Sequence, residues 1–119
     1  MIGYSLLLPL SPTINTYYGT RGKKRYIKPE GVAFRKEVLL AVRQSKIPML
    51  TGRLCLVVRV CPRDKRMQDI SNRIKALEDA LQHAGAFVND EQIDDLQVTR
   101  GPIVRGGRLE ILIGEIETS

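Results

Sequence analysis

Two neighbouring runs decide the fold: Arg53-Leu54-Cys55-Leu56-Val57-Val58-Arg59-Val60-Cys61, then, across the polar connector Pro62 to Gln68, Asp69-Ile70-Ser71-Asn72-Arg73-Ile74-Lys75-Ala76-Leu77-Glu78-Asp79-Ala80-Leu81. In the first, Leu54, Leu56, Val58 and Val60 face one way, and Arg53, Cys55, Val57, Arg59 and Cys61 the other. That period of two predicts a strand over 53 to 61. In the second, Ile70, Ile74, Leu77, Leu81 and Ala84 form one stripe, which predicts a helix over about 70 to 84. Gly85 suits its C-cap.

Working outward, residues 3 to 8 read as a short buried strand. Pro9, Pro12, Gly19, Gly22, Pro29 and Gly31 punctuate a long irregular stretch, and loops of that length are usually functional or mobile. Residues 32 to 46 read as a helix with Phe34, Val38 and Val42 on its stripe. Residues 92 to 99 read as a strand, and Gly106-Gly107 turn into a last one in which Leu109, Ile111 and Ile113 alternate with Glu110 and Leu112. The order β-α-β-α-β-β implies an α/β (α+β) class: a small mixed sheet with two main helices, one domain over 1 to 119.

The chain has 119 residues, 43% apolar and 27% charged, the composition of a globular protein. A chain this short buries only about two thirds of its unfolded surface, so dimerisation would help it. The N-terminus has no basic leader, and no run approaches the ~20 apolar residues of a membrane span. A soluble, cytoplasmic protein without membrane association is expected. Cys55 and Cys61 share a strand face roughly 20 Å apart at ~3.3 Å per residue. That is beyond disulfide reach, so reduced thiols are expected. With His83 as the only histidine, a zinc site is unsupported, and a surface role at a helix end is expected for it.

Charge is unevenly spread. Residues 1 to 66 hold 14 basic and 3 acidic side chains, a net of +11, whereas residues 67 to 119 hold 5 basic and 10 acidic, a net of −5. The sequence pI of about 9.6 alone admits any polyanion. The basic half includes the loop residues Arg21, Lys23, Lys24, Arg25 and Lys28, interleaved with Tyr17, Tyr18 and Tyr26. Tyr17 and Tyr18 are expected to pack rather than stack on bases.

The acidic segment admits two readings. Asp69 or Ser71 would serve as a helix N-cap, and Glu78, Asp79, Asp94 and Asp95 as solvated surface charges. Alternatively, Asp69, Asp90 and Lys75 are the parts of a hard-cation site. Mg²⁺ binds through one or two carboxylates and completes its shell with water and phosphate. A nearby lysine stabilises charge on a phosphodiester under attack. A helix over 70 to 84 is about 22 Å long, and Asp69 and Asp90 flank it. Either residues 85 to 90 run back along the helix or a partner subunit supplies one carboxylate. The second arrangement, a site at or near a dimer interface, is the favoured expectation.

Several segments together resemble the RusA family of Holliday junction resolvases. They are Leu8-Pro9-Leu10-Ser11-Pro12-Thr13-Ile14-Asn15-Thr16-Tyr17-Tyr18, Gly31-Val32-Ala33-Phe34-Arg35, the run Asp69 to Leu81, Ala84-Gly85, Asn89-Asp90-Glu91-Gln92-Ile93, and Gly106-Gly107-Arg108-Leu109-Glu110. The resemblance implies a homodimeric, Mg²⁺-dependent endonuclease, with Mn²⁺ as an alternative ion. Such an enzyme nicks four-way junction DNA symmetrically, notably 5′ of CC, and is often encoded by phages and prophages. By the same resemblance Asp69 and Asp90 match metal-binding aspartates and Lys75 the catalytic lysine. Asn15, Arg21, Lys23, Lys24, Arg25, Lys28, Arg66 and Arg73 become DNA contacts.

Two positions depart from that family's pattern. Ser71 stands where its second aspartate is usual, and would reach a metal only as a weak ligand or through a bound water. Gln68 stands where a basic residue is common. Three functions follow: an active resolvase, a weakened or inactive junction-binding dimer, or a basic module for ordinary duplex or RNA.

Overall fold

In the computed structural model, which describes residues 3–117, strand β4 (Leu54–Cys61) and helix α3 (Ile74–His83) lie at the centre of the fold. The other elements in chain order are β1 (Gly3–Leu8), α1 (Ile14–Tyr17), β2 (Tyr18–Arg21), β3 (Lys24–Ile27), α2 (Pro29–Gln44), β5 (Ile93–Arg100) and β6 (Arg108–Glu115). The main sheet has the order β1-β6-β4-β5. β4 and β5 run parallel, and β6 is antiparallel to both β4 and β1. Parallel neighbours need a crossover, and α3 supplies it. The fold is therefore the expected mixed sheet with two main helices.

The alternation in β4 has its physical cause in one covered face. Leu54, Leu56 and Val58 are fully buried and Val60 nearly so, in one cluster with Phe34, Val38 and Val42 of α2 and Ile74, Leu77 and Leu81 of α3. Burying each such side chain contributes about 1.5–3 kcal/mol. On the opposite face Leu7 and Leu112 stay exposed, and Arg59 pairs with Glu110 at 3.3 Å. Cys55 and Cys61 share that face as free thiols.

Three boundaries differ from the sequence expectation. The irregular stretch contains the one-turn helix α1 and a two-stranded hairpin, β2–β3, turning at Gly22 with φ of 61°. Its strands are too short and too charged to show a period. Helix α2 starts at Pro29 rather than residue 32, because proline at the first helical position needs no N–H partner. The helix expected over 70 to 84 is a 3₁₀ turn, Ile70–Arg73, followed by α3. Gly85 follows with φ of 82°, as its place at the end of the helix required. No helix among the described residues is long and apolar enough to cross a membrane.

Candidate active site

Asp69 is the N-cap of the 3₁₀ turn before α3. Its Oδ1 accepts the Ser71 backbone N–H at 3.1 Å and the Ser71 hydroxyl at 2.7 Å. These two bonds, led by the hydroxyl, hold its carboxyl below the usual carboxylate range, and the charge of Arg100 adds to them. Its Oδ2 has no hydrogen bond among the described residues and is open to an incoming group. The two sequence readings of Asp69 are thus compatible: one oxygen caps the turn and the other is spare. Ser71 orients that carboxylate.

Lys75 lies one turn further along, and its Nζ donates to Asp90 Oδ2 at 2.8 Å. That bond, foremost, keeps Lys75 protonated by raising its pKa. Asp90 therefore reaches back to the first turn of α3 within the same subunit. Residues 85 to 90 thus run back along α3 as far as Lys75, the first of the two arrangements left open by the sequence, rather than the favoured one.

The return is held by a side chain that sequence reasoning passed over. Buried Gln92 accepts the N–H groups of Val88 and Asn89 at 2.8 and 2.9 Å and donates to the carbonyls of Leu50 and Gly52 at 3.0 and 2.9 Å. Asn89 and Gln92 form a capping box around Asp90. The spacing Asn89-x-x-Gln92 was a visible signal for it. Arg53 adds an ion pair to Asp94 and a bond to the Glu91 carbonyl at 2.7 Å, while Gln82 Oε1 accepts the Asp90 N–H at 3.1 Å.

Glu78 and Asp79 correct the expectation of solvated charges. Both are half-buried. Glu78 lies near Lys75 and Asp90; burial pushes its carboxyl up, Lys75 opposes this and Asp90 adds to it. Asp79 accepts from the Tyr17 hydroxyl and from Arg35 Nη2 at 2.6 Å, tying α1, α2 and α3 together. Burial alone would raise Asp79, but the bonds from Tyr17 and Arg35 outweigh it and its pKa is lowered. Tyr17 is fully buried, as expected, and its ring meets Tyr18 edge-on.

The expected DNA contacts divide. Lys23 and Lys24 project from the exposed hairpin tip, and Arg21 lies over the Tyr26 ring. Arg25 stacks on Tyr18, its guanidinium carbon 3.7 Å from the ring centroid. Lys28 Nζ donates to the carbonyl of exposed Asn15 at 2.8 Å. Arg66 is exposed but paired with Asp64 at 2.8 Å. Arg73 is a correction. It is 8% exposed and donates to the Ser11 carbonyl and to Gln68 Oε1 at 3.0 Å, so it ties the chain together rather than projecting into solvent. His83 is exposed at the end of α3.

Among the described residues no group of three His, Cys, Asp or Glu side chains could cage a metal ion. The donors at hand, Asp69 and Asp90, are hard oxygens. Carboxylate oxygens are the donor type that hard cations such as Mg²⁺ use, one or two at a time, with water and phosphate filling the shell.

The family model described as "Endodeoxyribonuclease RusA" matches residues 9–114. The chain belongs to the RusA family. A RusA protein of Enterobacteria phage HK97, named crossover junction endodeoxyribonuclease, is 43% identical over 116 residues, covering 97% of each chain. RusA proteins with that name from Shigella sonnei and from Enterobacteria phage 82 are each 36% identical over 117 residues. The first of these two covers 95% of both chains.

Proposed function

We propose that this chain is a structure-specific endodeoxyribonuclease that resolves four-way DNA junctions in recombination and repair, acting as a cytoplasmic homodimer with Mg²⁺, or with Mn²⁺ in its place. Family membership supports the activity. The observation that carries the site is the return of Asp90 to Lys75 at 2.8 Å, on the helix that Asp69 opens.

Asp69 and Asp90 would hold the ion, Ser71 reaching it through water. When bound, it supplies an activated water and neutralises charge on the phosphodiester. The remaining work falls to the chain's own groups. Lys75, held protonated, stabilises the negative charge that grows on the phosphoryl oxygens as water adds to phosphorus and an ester P–O bond breaks. Ser71 fixes the rotamer of Asp69 through its hydroxyl. The hairpin cations Arg21, Lys23, Lys24 and Arg25, with Lys28, Arg66 and Asn15, bind backbone phosphates and orient the duplex arms. A two-fold dimer would present two such sites to two strands.

A second reading is a junction-binding dimer with weakened catalysis. It is favoured by the Ser71 hydroxyl, a neutral group that bonds Asp69 at 2.7 Å and adds no carboxylate.

A labelled four-way junction with Mg²⁺ separates the two. The native chain is expected to cut, and Asp69→Asn to bind without cutting. Native binding without cleavage, with cleavage restored by Ser71→Asp, establishes the second reading. Equal affinity for linear duplex and junction, with no cleavage by any form, rejects both.

A further inference from the structure

Beside Asp69, which itself lines it, the β4–α3 connector and the residues after β5 border an open cleft of about 550 Å³, within the range of sites that hold small ligands. Two of its walls are apolar and wet. Met67 has its side chain fully in solvent at 101% relative exposure, and Ile103 is 51% exposed. Lys65, Arg66 and Arg100 line the same cleft. Lys65 has no ion-pair partner among the described residues, whereas Arg66 is engaged by Asp64 at 2.8 Å. Asp64 and Asp69 also line it, so the rim is mixed, with Asp64 taken up by Arg66 and Lys65 and Arg100 left as the cations beside the two apolar side chains. Apolar faces next to such cations suit a flat, weakly hydrated ring that carries an anionic tail.

We propose that this cleft receives one unstacked nucleotide next to the scissile phosphate, its base between Met67 and Ile103 and its phosphates on Lys65 and Arg100. The inference rests on the nuclease reading above and adds to it a nucleotide-binding subsite. Methionine is among the side chains that proteins wedge between base steps. Every base offers a face for such a contact whatever its sequence. Taking a base out of the stack costs least where pairing is already interrupted, as at a junction crossover.

The cleft is braced rather than incidental. On one side the Gly101 N–H donates to the Val60 carbonyl, and the Val104 N–H to that of Pro62, both at 2.9 Å. On the other, Arg100 Nη2 donates to the Gln68 carbonyl at 2.8 Å, while Arg73 holds the Gln68 side chain at 3.0 Å. This gives buried Arg73 its purpose, which is to set the connector that carries Met67. A Cβ on Gly101 would lie 2.7 Å from both Arg59 Nε and Cys61 Sγ. Glycine therefore lets that wall lie flush on β4.

Four-way junctions carrying 2-aminopurine at successive positions around the crossover test the proposal. The full chain is added with EDTA, so that nothing is cut, and a distant dye reports binding by anisotropy. One position beside the cut site is expected to brighten severalfold on binding. Met67→Ser and Ile103→Ser should each remove that rise and weaken junction binding by at least about fivefold, whereas Met67→Leu keeps both. If the junction binds and no position brightens, or if both serine variants brighten it as the native chain does, the nucleotide subsite is wrong and the nuclease reading stands. If anisotropy shows no junction binding at all, both fall.

Discussion

Asp79 shows how one carboxylate can serve a site without touching substrate. Its bonds to Tyr17 and Arg35 join α1 and α2 to α3, and so hold the hairpin that follows Tyr17 against the helix that carries Lys75. Its pKa is lowered in the fold, so it contributes stability above the ordinary carboxylate value near about 4, and that contribution is lost as pH falls through the folded value. Asp79→Asn is expected to cost about 1.5–3 kcal/mol at pH 7, since hydrogen bonds to charged groups are of that size. In urea titrations the gap between native chain and variant should narrow below about pH 4. A gap that stays constant down to pH 2 would exclude this role.

At the scale of elements, the β2–β3 hairpin concentrates cations at a tip where Gly22 turns the chain. Each phosphate neutralised adds about 0.9 to the slope of log affinity against log salt. Replacing Arg21, Lys23 and Lys24 by alanine should lower that slope for junction DNA by up to about 2.7, measured by anisotropy across a salt series. An unchanged slope would place the phosphate grip elsewhere. This hairpin was not legible in the sequence, because Tyr18–Arg21 and Lys24–Ile27 are short, half-solvated and lack an apolar period. The main strands and helices were legible because one face of each is buried against a common core. Asp69, Asp90 and Lys75 were proposed from residue type and spacing. That Asp90 returns to Lys75 could not be read so easily, since it depends on Gln92 bonding two carbonyls about forty positions earlier in the chain. The burial of Arg73 was hidden for a related reason, since it depends on Ser11, far earlier in the chain, closing over it.

Over the whole molecule, the strand order β1-β6-β4-β5 places the last strand inside the sheet, between β1 and β4. Leu109, Ile111 and Ile113 of β6 are buried, and Gly3 pairs with Gly114 across nearly the full chain length. A chain ending at Gly107 is therefore expected to lack cooperative unfolding by circular dichroism. A truncated form that melts like the full chain would contradict this. The same order bears on synthesis. A nascent chain emerging from the ribosome presents β1 and one side of β4 as unsatisfied edges until residues 108–115 have left the exit tunnel. The sheet therefore closes only once β6 is available, and a chain interrupted before it would be a sticky, edge-exposed fragment, which is a natural client for chaperones.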